Sequence, residues 1–167
     1  MSETEQQLDI HNLSLKSNEF TVLEEGDYRF KVVGFSVEYS QGSEKIPPNT
    51  QQIVVECEIP SANGVATVKN YLTVYPKYLF LIRRFSEAVG LCEESGDFTL
   101  DVDALKGKEG ICHLTVETSA RGNDYNRMSE VFPPSKRPTV TDNDEYWDKY
   151  LKDKQAEIDK ELEDMPF

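Results

Sequence analysis

At 167 residues, 38% hydrophobic and 29% charged, the chain suits one globular domain with polar extensions and leaves little room for a second full core. No apolar run approaches the roughly 20 residues of a membrane span, and the acidic, Gln-containing N-terminus lacks the basic and apolar regions of a signal peptide, so a cytoplasmic protein is expected. The formal net charge of -13 argues at first against a nucleic-acid partner, but residues 141–167 hold ten acids against four bases and the first twenty hold four against one, so the bases of the middle block can still cluster on one face.

Residues 1–20 read as a flexible N-terminal arm with scattered Leu8, Ile10, Leu13 and Leu15, the last two alternating as a short edge strand would. A turn at Glu24–Asp27 leads into a first strand over 27–39. There Phe30 and Val32 alternate with Arg29 and Lys31, and Gly34 marks a bulge or coil, beyond which Phe35, Val37 and Tyr39 share one face. After the loop 41–49, a second strand over 51–59 sets Ile53, Val55, Cys57 and Ile59 against Gln52, Glu56 and Glu58. Asn63-Gly64 then turns a hairpin into a third strand over 65–75, with Val68, Leu72 and Val74 inward and Lys69, Tyr71, Thr73 and Tyr75 outward.

Pro76 opens a helix to about Val89, stopped by Gly90, with Leu81, Ile82, Phe85, Ala88 and Val89 on its apolar face and Arg83, Arg84 and Glu87 on its wet side. Asp101–Gly107 reads as one helical turn, its Asp101 and Asp103 being helix-start acids in preference to magnesium ligands of a nuclease. A fourth strand over 110–119 alternates Cys112, Leu114 and Val116 with His113, Thr115 and Glu117. A fifth covers 125–132, and Pro133-Pro134 ends the segment.

Three strands, a helix and two strands is the element order of the OB-fold, a mainly β, five-stranded Greek-key barrel with one helix between strands three and four, here assigned to 21–138. From 139 the composition turns acidic: Asp142 and Glu145 suit a capping pair, and Trp147, Tyr150, Leu151, Ile158 and Leu162 form a thin apolar stripe at helical spacing. Such a stripe docks on its own domain or pairs with a second copy in a homo-oligomer, the alternative being an unattached tail.

No catalytic constellation assembles. His11 lies in the arm, His113 and Cys112 point to opposite faces of one strand, and neither a nucleophile elbow nor a phosphate-cradling Gly loop is present, so no enzyme, cofactor or metal site is expected. The three cysteines, Cys57, Cys92 and Cys112, have the spacing of reduced core residues. What does stand out is cations interleaved with aromatic rings: Arg29 and Lys31 on strand one; Lys69, Tyr71 and Tyr75 on strand three, with Lys77 and Tyr78 beyond; Arg121, Tyr125 and Arg127 at the last hairpin. Single-stranded nucleic acid needs that pairing, cations for phosphates and flat rings for unstacked bases. The end of the chain, Asp164-Met165-Pro166-Phe167, presents an apolar tip behind an acidic run, suited to a partner's apolar pocket rimmed by Lys or Arg.

The blocks Glu25-Gly-Asp-Tyr-Arg-Phe-Lys31, Gly42-Ser-Glu-Lys-Ile-Pro-Pro-Asn49 and Gly122-Asn-Asp-Tyr-Asn126 leading to Phe132-Pro133 give residues 20–134 a resemblance to phage-encoded single-stranded-DNA-binding proteins, a family long catalogued as a domain of unknown function. The C-terminus resembles the acidic tail of bacterial single-stranded-DNA-binding proteins in Asp164, Pro166 and Phe167. It departs in Met165 and in the lysines interspersed upstream. The resemblance implies an OB-like protein that coats single strands during phage replication or recombination in the cytoplasm of an infected host. Its tip would recruit replication and recombination proteins, and its acidic tail would compete with DNA for the basic groove. The competing expectation is an adaptor or host-factor inhibitor that uses the same scaffold without binding DNA.

Overall fold

The computed structural model describes residues 22–164. The N-terminal arm with its Leu13–Leu15 strand and the tip Met165–Phe167 lie outside these residues. The described chain forms β1 (Gly26–Ser40), β2 (Thr50–Ser61), β3 (Gly64–Thr73), α1 (Leu79–Ala88), β4 (Glu109–Thr118), β5 (Asp124–Val131) and α2 (Asp144–Glu163). Short 3-10 turns at Pro76–Tyr78 and Val102–Leu105 flank α1 and lead into β4.

The strands make one antiparallel five-stranded sheet in the order β3-β2-β1-β4-β5. The hairpin at Asn63-Gly64 sets β2 against β3, and the bulge expected near Gly34 shows as a register shift between Val32 and Gly34. One extra residue there moves the inward face from Phe30 and Val32 to Phe35, as a period of two requires. Val32 instead bonds the turn before β4, accepting from Gly107 N at 2.8 Å and donating to Lys108 O at 2.7 Å. The sheet is open: β3 and β5 are its two edges and share no ladder among the described residues, so the barrel expected from the sequence is not closed.

The core on one side of the sheet is filled by Phe30, Val32, Val55, Cys57, Ile59, Leu114 and Leu105, with α1 contributing Ile82, Phe85 and Ala88. Phe30 and Phe85 meet at a centroid distance of 5.9 Å, an aromatic pair of about 1 kcal/mol. Three positions expected inward are exposed. Val74 lies past the end of β3, Val116 sits where β4 runs beyond the core, and Leu81 is on the open side of α1. Burial pushes the thiols of Cys57 and Cys112 up, fitting inert core cysteines, whereas Cys92 is half-buried in the connector after α1.

The opposite face of β1 and β2, bearing Arg29 and Glu58, carries α2. Its start is held by Thr141 and Asp144, not by the expected pair Asp142 and Glu145: Thr141 N donates to Asp144 Oδ2 at 2.9 Å and Thr141 Oγ1 bonds Asp144 Oδ1. Asp142 is committed elsewhere, its N–H to Asp27 O at 2.8 Å and its carboxylate to Asp27 N at 3.2 Å. Fully buried Asn143 accepts from Arg29 N at 2.8 Å and donates to Arg29 O at 3.0 Å and Pro60 O at 2.9 Å. The first half of the apolar stripe docks, Trp147 and Tyr150 being buried with rings 5.3 Å apart, while Ile158 and Leu162 on the second half are exposed. Asp164 caps the helix end, donating its N–H to Lys160 O at 3.1 Å. No helix among the described residues is long and apolar enough to cross a membrane.

Candidate nucleic-acid interface

The open seam between β3 and β5 is a cleft of about 930 Å³. Strand alternation divides its lining into two layers. Inward-facing Val68, Leu72, Met128 and Val131, with Phe85 of α1, make an apolar floor; outward-facing Lys69, Tyr71, Tyr125 and Arg127 form the two rims. Tyr71 and Tyr125 are 53% and 44% exposed, so both side chains are open to solvent. Arg84 closes one wall, its guanidinium 5.6 Å from the centre of the Phe80 ring.

Of the residues singled out from the sequence, Lys69, Tyr71, Tyr125 and Arg127 therefore meet at one cleft. Arg121 sits in the exposed β4–β5 turn, whose Ser119 and Asn123 line the cleft's end. Tyr75 and Lys77 lie past the end of β3, where Tyr75 packs near Tyr78 at 6.4 Å and the Lys77 ammonium stands 5.8 Å from the Tyr78 ring. Arg29 and Lys31 are on the α2 side of the sheet. Arg29 Nε is 2.6 Å from Asp144 Oδ1, and Lys31 Nζ is 4.0 Å from Glu109 Oε2. Hydrogen bonds from Thr141, then from Arg29, hold the Asp144 carboxyl down to about 2, well below the usual carboxylate range.

Local charge follows the same division. Glu58, on the polar face of β2, is occupied on the α2 side, accepting from Tyr150 Oη and pairing with Lys154 Nζ, each at 2.8 Å. Burial, then the bond to Glu58, pushes the Tyr150 phenol up. Glu56 stands opposite Lys69 in the β2–β3 register. At the other rim Glu117 accepts from Arg127 Nη1 at 3.0 Å and from Tyr125 Oη at 3.4 Å, and these bonds, Arg127's first, hold its carboxyl below the usual range. Glu117 thus orients a cation and a ring of the same rim. The acids that line the cleft itself are Asp124 and Glu130.

Arg84 was legible as a wet-side residue and not as a site residue. The signal lay in its spacing: Arg84 is three residues after Leu81 and four after Phe80, so all three share one helical face, and that face is exposed beside the cleft. The Gly42–Asn49 block lies away from the cleft, in the β1–β2 loop. Gly42, at φ +97°, lies where a Cβ would stand 2.9 Å from Pro48 N, and Asn49 N closes the loop onto Ser40 O at 2.7 Å. Asp101 accepts from Asp103 N at 3.2 Å, the helix-start role expected of it.

A scan against protein-family models finds no match to the chain, and a search of curated proteins finds none.

Proposed function

We propose that this protein is a non-enzymatic single-stranded-DNA-binding protein built on an OB-like sheet. The meander β1-β2-β3, the pairing of β1 with β4 and of β4 with β5, and a helix between β3 and β4 follow the OB order, with its closing seam left open. One observation carries the reading. Two half-exposed tyrosines and the cations Lys69, Arg84 and Arg127, from three separate elements, converge on one cleft. Rings there stack bases while the cations follow the phosphates, which is sequence-tolerant binding. The family resemblance adds the setting, phage replication or recombination in the host cytoplasm, and gives the tip Asp164–Phe167 the task of recruiting partner proteins.

Fluorescence titration with oligo-dT at two salt concentrations tests it. Affinity should fall steeply with salt, by a slope of about -0.7 in log K per phosphate contact. Purified protein that ignores oligo-dT at low salt sinks the reading.

The adaptor reading keeps one observation in its favour. Ile158 and Leu162 are exposed along the acidic second half of α2, a face suited to another protein. That reading expects no salt-dependent binding to single strands.

A further inference from the structure

Two exposed apolar surfaces of this molecule carry opposite charge. The first is at the start of α1. The turn Pro76–Tyr78 runs directly into Leu79–Ala88, so Lys77, Phe80, Leu81 and Arg84 recur at i, i+3, i+4 and i+7 and share one side. All four are exposed, as is Leu79, which leaves three consecutive large apolar residues open to solvent. Residues 74–84 hold Lys77, Arg83 and Arg84 and no acid, in a chain of net charge -13. The second surface is the undocked half of α2, where Ile158 and Leu162 are exposed one turn apart. At about 100° per residue, Asp159 and Glu161 flank that pair on its two sides and Lys160 falls on the far side of the helix. An apolar line edged by cations thus has its complement, an apolar line edged by acids, on the same chain.

We propose that the second half of α2 in one copy docks on the α1 face of a second copy, head to tail. The two faces do not meet within one molecule: α1 packs on the core side of the sheet, α2 on the opposite face, and both lines are exposed. Charge selects the pairing. Setting α2 against α2 brings Asp159 and Glu161 up to their own copies, and α1 against α1 does the same with Lys77 and Arg84. Setting α2 against α1 joins unlike charges around a shared apolar strip. A contact between two different faces leaves one of each unused, so copies add in a row or close a ring. Two helical turns against two lie at the small end of interface sizes, below about 1,200 Å², so free copies associate weakly and exchange. The inference goes beyond the DNA reading and does not rest on it, although Leu81 and Arg84 border the cleft as well.

Sedimentation velocity on the full chain without DNA, over rising protein concentration at low and high salt, tests the proposal. Expected is a mean sedimentation coefficient that climbs with concentration at low salt and falls back toward the monomer's at high salt. Two double variants place a polar helix former at exposed positions: Phe80→Gln with Leu81→Gln removes the α1 face, and Ile158→Gln with Leu162→Gln removes the α2 face. Each alone should stay monomeric, with the emission of buried Trp147 unchanged as the sign of an intact fold. An equal mixture of the two should form dimers and nothing larger, because one intact face of each kind remains. A wild type that is monomeric at every concentration overturns the proposal. So does a mixture that stays monomeric, or association retained by either variant alone, the mark of like-on-like pairing. No DNA enters the readout, so a chain that ignores oligo-dT and still assembles in this way loses only the DNA reading.

Discussion

Asn70 of β3 and Met128 of β5 face each other across the open seam, Nδ2 standing 3.8 Å from Sδ. A weak amide–thioether contact is all that this pair contributes where a closed barrel would have a backbone ladder, so β3 and β5 stay close without being zipped. Tyr71 and Tyr125 consequently stand on opposite rims of one cleft instead of on separate faces.

Tyr71→Ala and Tyr125→Ala should each weaken oligo-dT binding by about 1–3 kcal/mol, the worth of one stacked base. Tyr75→Ala, beyond the cleft and beside Tyr78, should change affinity less than twofold. Fluorescence titration at one fixed low salt separates these outcomes. Equal losses at Tyr71 and Tyr75 would remove the cleft as the binding surface.

The cations should divide in the same way. Lys69→Ala and Arg84→Ala should each lower the magnitude of the salt slope by about 0.7, as loss of one phosphate contact does. Arg29→Ala should leave slope and affinity unchanged while costing about 0.5–1 kcal/mol of stability, because its guanidinium, about a third exposed, pairs with Asp144. Oligo-dT titrations across salt, set beside urea unfolding of the same variants, test both halves.

Periodicity made the five strands and both helices legible, because alternation of apolar and polar residues reports which face is buried. It did not report where the core ends. Val74, Leu81 and Val116 carry the right period at positions the core does not reach. Nor could it separate Arg29 from Lys69, since both alternate outward on strands. What separates them is α2, which returns over a hundred residues later to cover the face bearing Arg29. The Asp142–Glu145 cap failed for a related reason: Asp142 is taken by the backbone of Asp27, a contact with no local signature.

Asn143 is where that return is fastened. Its fully buried side chain answers a buried carbonyl of Pro60 and both backbone groups of Arg29. Asn143→Ala leaves these groups unsatisfied and should cost about 2–4 kcal/mol. Trp147, the only tryptophan, is buried under α2 and reports directly on its docking. Its emission should shift to the red in the variant at urea concentrations where the wild type remains unchanged. Identical unfolding midpoints would mean that α2 is held chiefly by Trp147 and Tyr150.

A pH dependence follows from His113. Its Nδ1 lies 2.8 Å from Asp27 Oδ1 and its Nε2 3.4 Å from Glu25 Oε2, while Glu130 stands opposite it in the β4–β5 register. The hydrogen bond to Asp27, ahead of that to Glu25, raises the imidazole above its ordinary 6.5. The charged ring is therefore favoured in the folded state. The stability it adds is fully present below about pH 6.5 and is lost as pH rises through the folded-state value. Thermal melts of the wild type from pH 6 upward should show a falling midpoint, and His113→Gln, which keeps a donor but no titrating charge, should start lower and change less. Because Asp27 also bonds Asp142 at the root of α2, Trp147 emission should follow the same pH window in the wild type under mild denaturant. A wild-type midpoint that rises across that window, or a variant with the same slope, would show that the His113–Asp27 pair does not contribute in this sense.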